Sequence, residues 1–295
     1  MKFLRFMITI VQRGSLLQHP VDFEAQRKRI IEQIPSFEET STKRKKNPIK
    51  SYFANTRIAY SLMSSLAYLK NARRMNNMFF ISDRHKVIYI RILKSAGTSM
   101  LKQFLPLIDV KLKDVDVSDE QLDVLGFYYE KKKFEPVHQG HIKFALVRNP
   151  FHRIVSAYLD LFDPAAGTFT YSSYWFGILK QDMSFKDFIE TIVKIPLALL
   201  GPHFSPQSYI LKRAGVLNNV TIYRIEKDME QLRKFLDQYG MALPHLNKHS
   251  TSYDYRSYYD HDTFIMVSEL YKEDINLLKY EDDYNTLARY ITTSL

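Results

Sequence analysis

Residues 91–100, RILKSAGTSM, place a lysine, small residues and hydroxyls directly after the apolar run VIYI. A strand that runs into a small-residue loop and then a helix aims backbone N–H groups and a helix N-terminus at one spot, which suits a phosphate. Lys94 adds a mobile positive charge, and Thr98 and Ser99 add hydroxyl donors. The triphosphate loop G-x-x-x-x-G-K-[ST] needs its lysine after the second glycine, whereas Lys94 precedes Gly97.

A second segment, FALVRNPFHRIVSAY (144–158), has the same texture. Arg148 stands where a buried-type strand ends, the position at which open α/β sheets bind ligands. Ser156 follows two turns into the next helix, with Arg153 three residues before it. Arg148 and Ser156 read as a second phosphate clamp, in which arginine supplies bidentate geometry. Two clamps on one sheet point to a nucleotide phosphorylated at two places.

Other residues suit acid–base work or acceptor binding. His138 and His141 precede the second strand, and a histidine titrating near neutrality suits proton abstraction from a hydroxyl. His203 and Gln207 either line an acceptor cleft or brace the loop between Pro202 and Pro206. Lys248, Ser250 and Thr251 read as a lid over the nucleotide or as a solvated turn. Trp175, in the patch FTYSSYWFG, is either a sugar-stacking ring or core.

The elements that must position these residues are strand–turn–helix units. KVIYIRIL is a continuous β-branched and aromatic run, as a strand buried on both faces would be. TSMLKQFL then puts Met100, Leu101, Phe104 and Leu105 on one helical face. KFALV is a second buried-type strand, and the helix after it carries Ile154, Val155, Tyr158, Leu159 and Phe162 at helical spacing, with Asn149 placed to cap it and Pro150 to open it. NVTIYRIE and KDMEQLRKFLDQYG form a third unit, with Met229, Leu232, Phe235 and Leu236 as the apolar stripe and Gly240 as the stop. Such alternation predicts an α/β fold with a central, mostly parallel sheet flanked by helices.

Bulk composition narrows the classes. A chain of 295 residues that is 45% hydrophobic can bury a large core, and disorder throughout is excluded. The formal charge of +10 favours an anionic partner without choosing among nucleic acid, acidic polysaccharide, phosphorylated cofactor and membrane surface. With zero cysteines there is no disulfide, thiolate metal site or cysteine nucleophile. Residues 1–85 read as an accessory helical region with the basic linker STKRKKNPIK, and 86–295 as the catalytic domain. The apolar N-terminal stretch is too short for a spanning helix; peripheral contact with a membrane stays open.

The two segments together resemble the cofactor signatures of the carbohydrate (family 2) sulfotransferases. HFSPQSYIL (203–211), which is similar to that family's His-x-x-Pro-Gln stretch, and the closing LPHLNKHSTSYDYRSYY and VSELYKEDINLLKY extend the likeness over residues 86–281. The resemblance implies a P-loop-like, nucleotide-binding sulfotransferase fold. It further implies that Lys94, Ser95, Ala96, Gly97, Thr98 and Ser99 bind the 5′-phosphosulfate of PAPS (3′-phosphoadenosine 5′-phosphosulfate), and Arg148 and Ser156 its 3′-phosphate. Lys94 would assist the leaving phosphate, and no metal is expected. The Gly-His of QGHIKF resembles the position of the base in the uronosyl 2-O-sulfotransferase branch, which points to His141. His138, His203 and Gln207 are expected at the acceptor. The expected partner is a carbohydrate or glycolipid hydroxyl, acidic in part, and not nucleic acid. The lack of cysteines and of an anchor suggests a bacterial-type cytoplasmic enzyme. A kinase with an altered loop, or a polyanion-binding protein, are the competing readings.

Overall fold

The computed structural model describes residues 78–108, 138–162, 179, 183–242 and 253–293. Lys248, Ser250, Thr251, Trp175 and the accessory region before residue 78 lie outside the described residues, so the expectations placed on them do too.

Four strands form one sheet in the order β1 (Phe79–Ser82), β2 (Val87–Ile90), β3 (Ile142–Val147), β4 (Thr221–Arg224). β2 pairs in parallel with β3, and β3 with β4. The expected parallel core is therefore present, with one addition. β1 lies antiparallel on β2 and forms a hairpin with it; four apolar-to-small residues, FFIS, carried too little period to mark a strand in advance. The turn between them closes with Lys86 N–H on the Asp83 carbonyl at 3.3 Å, Lys86 adopting φ 51°.

Register stacks aromatic rings across the sheet. Phe80 pairs with Tyr89 and Tyr89 with Phe144, and the ring centroids stand 6.1 and 5.1 Å apart. Helix α1 (Gly97–Phe104) adds Phe104 to this layer, 6.0 Å from Tyr89. Phe235 of the helix Met229–Asp237 adds another ring 4.9 Å from Phe144. Ring pairs at such separations contribute beyond their area. The expected faces largely hold: Met100, Leu101, Phe104 and Leu105 are all buried, as are Leu232, Phe235 and Leu236, while Met229 at the start of the second stripe is only partly buried. Gly240 takes φ 66° just past the end of the Met229–Asp237 helix, a conformation that disfavours any Cβ.

A second core is purely helical. Helix α2 (Pro150–Phe162) contributes Phe151, Ile154 and Val155, packed with α3 (Phe185–Ile192), α6 (His261–Leu270), α7 (Lys272–Leu277) and α8 (Glu281–Thr293). Asn149 caps α2 as expected, its Oδ1 accepting from Phe151 and His152 N–H at 2.9 and 3.3 Å. Helix α4 (Gln207–Arg213), which precedes α5 (Met229–Asp237), opens after Pro206 and lacks a cap of its own. The buried carboxylate of Asp274, from α7, serves instead: it accepts from the N–H groups of Gln207 and Ser208 at 2.8 and 2.7 Å. Asp274→Ala strands two buried N–H groups and should lower unfolding free energy by about 3 kcal/mol. Asp274→Asn, which keeps one acceptor, should cost less; equal losses in urea unfolding would contradict the remote cap.

Candidate active site

Both phosphate segments meet at the carboxyl edge of the parallel strands. The loop after β2 bends through two residues in the left-handed region, Lys94 (φ 66°) and Ala96 (φ 56°), before α1 begins at Gly97. Alternation of this kind turns successive N–H groups inward and makes an anion-binding concavity, continued by the outward-pointing N–H groups of the first helical turn. Gly97 is required by close approach: a Cβ there would stand 2.9 Å from Arg91 Cγ and 3.2 Å from the Ile92 carbonyl oxygen. Arg91, itself buried, donates to Thr98 Oγ1 at 3.3 Å.

Three buried contacts hold the loop in this strained shape. The fully buried guanidinium of Arg153 donates from Nε to the Leu93 carbonyl (2.9 Å), from Nη1 to Ser205 (3.0 Å) and from Nη2 to Pro202 (2.9 Å). The buried carboxamide of Gln207 accepts from Ser95 Oγ and from Arg148 N–H, each at 3.0 Å, and donates to the Arg148 carbonyl at 2.8 Å. Arg148 Nη1 reaches the Lys94 carbonyl at 3.4 Å. Gln207 is thus a brace between the two segments and not an acceptor-lining residue, since burial and hydrogen bonding consume its amide. Ser95 likewise turns its hydroxyl into the brace and away from the concavity.

Charge collects here. Arg91, Lys94, Arg148 and Arg153 all belong to this edge, and Lys94 Nζ is paired at 2.6 Å with Asp160, on α2. Arg148 Nη2 lies 2.6 Å from His152 Nε2, whose ring stacks on Tyr255 at 4.9 Å. Burial first, then Arg148, pushes the His152 imidazole down to about 3, so it accepts from arginine as a neutral ring. Burial first, then Lys94, Arg153 and Arg91, likewise pushes the half-buried His203 down to about 3. His203, expected at the acceptor, thus lies within the electrostatic reach of the cations of this edge. Ser156 is buried on α2, one turn before Asp160. Sequence reading gave no role to His152 and Asp160; Asp160 follows Ser156 at i+4 on α2, but its partner Lys94 is set by tertiary contact.

The two histidines nearest the second strand in sequence are not part of this site. Ile142, the first residue of β3, pairs with Val87, the first of β2, while the phosphate loop follows the last. His138 and His141 precede Ile142 and therefore sit at the amino edge, separated from the Arg148 edge by the whole of β3, about 17 Å at a strand rise of ~3.3 Å per residue. There both Nε2 atoms face Asp83 Oδ1, at 3.0 and 3.1 Å. Burial first, then His138, keeps His141 below the ordinary histidine range. His141 as base and His138 as acceptor contact are both corrected by this topology.

The fit to a doubly phosphorylated nucleotide rests on donors in place. Arg148 Nε and the Tyr253 hydroxyl are buried with no well-formed hydrogen bond beyond their mutual interaction among the described residues, and donors so placed suit a second phosphate. An α/β sheet with a small-residue loop in left-handed conformation after one strand and a half-buried arginine after the next has the geometry of an anion-binding edge. The chain belongs to the sulfotransferase family, whose model matches residues 77–281 and takes in all four strands. Membership makes it a sulfuryl transferase, and the family generally uses PAPS as donor. Comparisons with curated proteins and with solved structures gave no match.

Arg153→Lys cannot reproduce the three-carbonyl fork, so it should cost at least ~2 kcal/mol in urea unfolding and weaken nucleotide binding with it. A stable variant that binds normally would sink the anchoring role. Stability should also fall on acidification. From about pH 6.5 downward the unfolded chain binds protons on His152 and His203 that the folded chain refuses until about pH 3, and a proton excess in the unfolded state means loss of stability. Unfolding at about pH 7.5 and about pH 5.5 should show the drop, and the double variant His152→Gln/His203→Gln should show a smaller one.

Proposed function

We propose that this protein transfers a sulfuryl group from PAPS to a carbohydrate hydroxyl, with His203 as general base. The observation that carries the reading is the joining of the two phosphate segments on one sheet edge, through the Gln207 amide and the contact of Arg148 with the Lys94 carbonyl. PAPS, when bound, supplies an activated sulfuryl group on a phosphate leaving group. Lys94, leaving its pair with Asp160, neutralises charge at the loop, and the N–H groups of 97–99 hold the adjacent phosphate. Arg148, His152 and Ser156 hold the 3′-phosphate.

His203 takes the acceptor proton. It stands within the electrostatic reach of Lys94, Arg153 and Arg91, on a segment that Arg153 pins at Pro202 and Ser205. Burial depresses its basicity first and those cations add to it; the anionic charge of a bound nucleotide offsets the cations' share and moves the base toward the working pH. The acceptor is a glycan or glycolipid; a cation-rich edge and a formal charge of +10 suit an acidic one.

Calorimetry with PAP (3′-phosphoadenosine 5′-phosphate) and turnover with labelled PAPS test the assignments together. Lys94→Ala and Arg148→Ala should weaken PAP by about tenfold or more, without a magnesium requirement. His203→Ala should leave PAP affinity in place and lower turnover by ~100-fold or more, while His141→Ala should leave both close to wild type. Loss of turnover in Asp160→Asn but not His203→Ala would move the base to the carboxylate. A preference for Mg-ATP over PAP would end the reading altogether, and an acidic-against-neutral glycan panel decides the acceptor class.

A further inference from the structure

The amino edge of the sheet carries a separate convergence of side chains. Asp83, in the β1–β2 turn, and His138 and His141, ahead of β3, each bring one ligand atom within 4.8 Å of the others. The two imidazole rings meet edge to face at 4.7 Å and 85°. We propose that Asp83, His138 and His141 form a binding site for one borderline divalent cation of the zinc type, distinct from the transferase site.

The donor set and its spacing carry the assignment. Two imidazole nitrogens and one carboxylate oxygen are a set that zinc accepts, with bonds of ~2.0–2.2 Å. Opened to a tetrahedral angle, two such bonds hold their donor atoms roughly 3.3 Å apart, close to the 3.0 and 3.1 Å between each Nε2 and Asp83 Oδ1. A hard cation such as magnesium prefers all-oxygen ligation and is disfavoured here.

The backbone under each ligand is already fixed. Ile142 N–H donates to the Lys86 carbonyl at 2.9 Å and His141 N–H to the His138 carbonyl at 3.1 Å. Lys143, the nearby cation, directs its Nζ to the carbonyls of His138 and His141, at 3.3 and 3.4 Å. The two histidine side chains are 3% and 9% exposed while Asp83 is 39% exposed, so the remaining coordination position opens to solvent and gives an ion its route in. No sequence spacing announces the site, because Asp83 and His138 are 55 residues apart and only the β2–β3 register brings them together. With β3 between it and the phosphate loop, a cation here clamps the hairpin turn to the start of β3 and stays clear of sulfuryl transfer.

The test uses the full chain stripped of metal and titrated with zinc chloride, with magnesium chloride in parallel. One zinc per chain should bind, magnesium should not compete, and saturation should raise the melting temperature by about 5 °C. The double variant His138→Gln/His141→Gln, and independently Asp83→Asn at a more exposed position, should each lose zinc affinity by ~100-fold while PAP affinity stays unchanged. Failure of the wild-type chain to bind zinc overturns the site. So does binding that Asp83→Asn leaves intact, which would place the zinc elsewhere. Because PAP affinity is read on the same samples, failure of the metal site is separable from failure of the nucleotide reading.

Discussion

The active edge depends on one buried cation. Arg153 brings a guanidinium into the interior, and burial holds its pKa below the usual arginine range. An ion without water is costly by several kcal/mol unless its donors are satisfied. Here they are satisfied by three carbonyls from two segments, Leu93 on one side and Pro202 and Ser205 on the other. Those carbonyls belong to non-repetitive backbone whose own shape is unfavourable, with left-handed Lys94 and Ala96 one and three residues beyond Leu93. Each side therefore stabilises what the other lacks: the loop satisfies the arginine, and the arginine over-determines the loop. Gln207, itself held by Asp274, repeats the device one layer away by tying Ser95 to Arg148.

This construction leaves the edge positively charged before any ligand arrives. Lys94 has a close carboxylate partner on the edge, Asp160. That charge adds to burial, the larger cause, in pushing the neighbouring imidazoles of His152 and His203 down to about 3. A site that suppresses protonation of its own histidines is one that gains when phosphate charge enters, because the same cations then face anions. Pre-organised charge of this kind lowers stability and favours binding and catalysis together. The whole-chain charge of +10 says much less than this local set does.

The strand–loop–helix units were legible because each declares itself locally. A β-branched and aromatic run, a Gly-containing loop and a 3.6-residue apolar stripe occur within 20 residues of one another at 87–105, and two later units repeat the strand and the stripe without the loop glycine. Asn149 and Pro150 were readable as cap and first turn for the same reason. Partners set by tertiary contact were not legible. Gln207 sits 112 residues from Ser95, and although a brace of its own loop was one reading, nothing near it signals that its amide ties Ser95 to Arg148. Asp274 caps a helix 66 residues away. His141 was misplaced by a distance error of a specific kind: seven residues from Arg148 is near in sequence, yet six of the intervening positions are an extended strand that carries the two ends apart.

That same geometry gives the amino edge its purpose. β2 and β3 are the strands whose carboxyl ends deliver the two phosphate segments, and a slip of one residue between them would turn every side chain to the opposite face. Their register is fixed at the carboxyl end by Gln207 and Arg153, both of which also serve a charged, strained loop. At the amino end it is fixed by Ile142 on Lys86 and by the two histidines on Asp83, which carry no such burden. The sheet is thus pinned at both ends of its central strand pair, and the end away from the proposed transfer site holds its register through contacts that the cation-rich loop does not share.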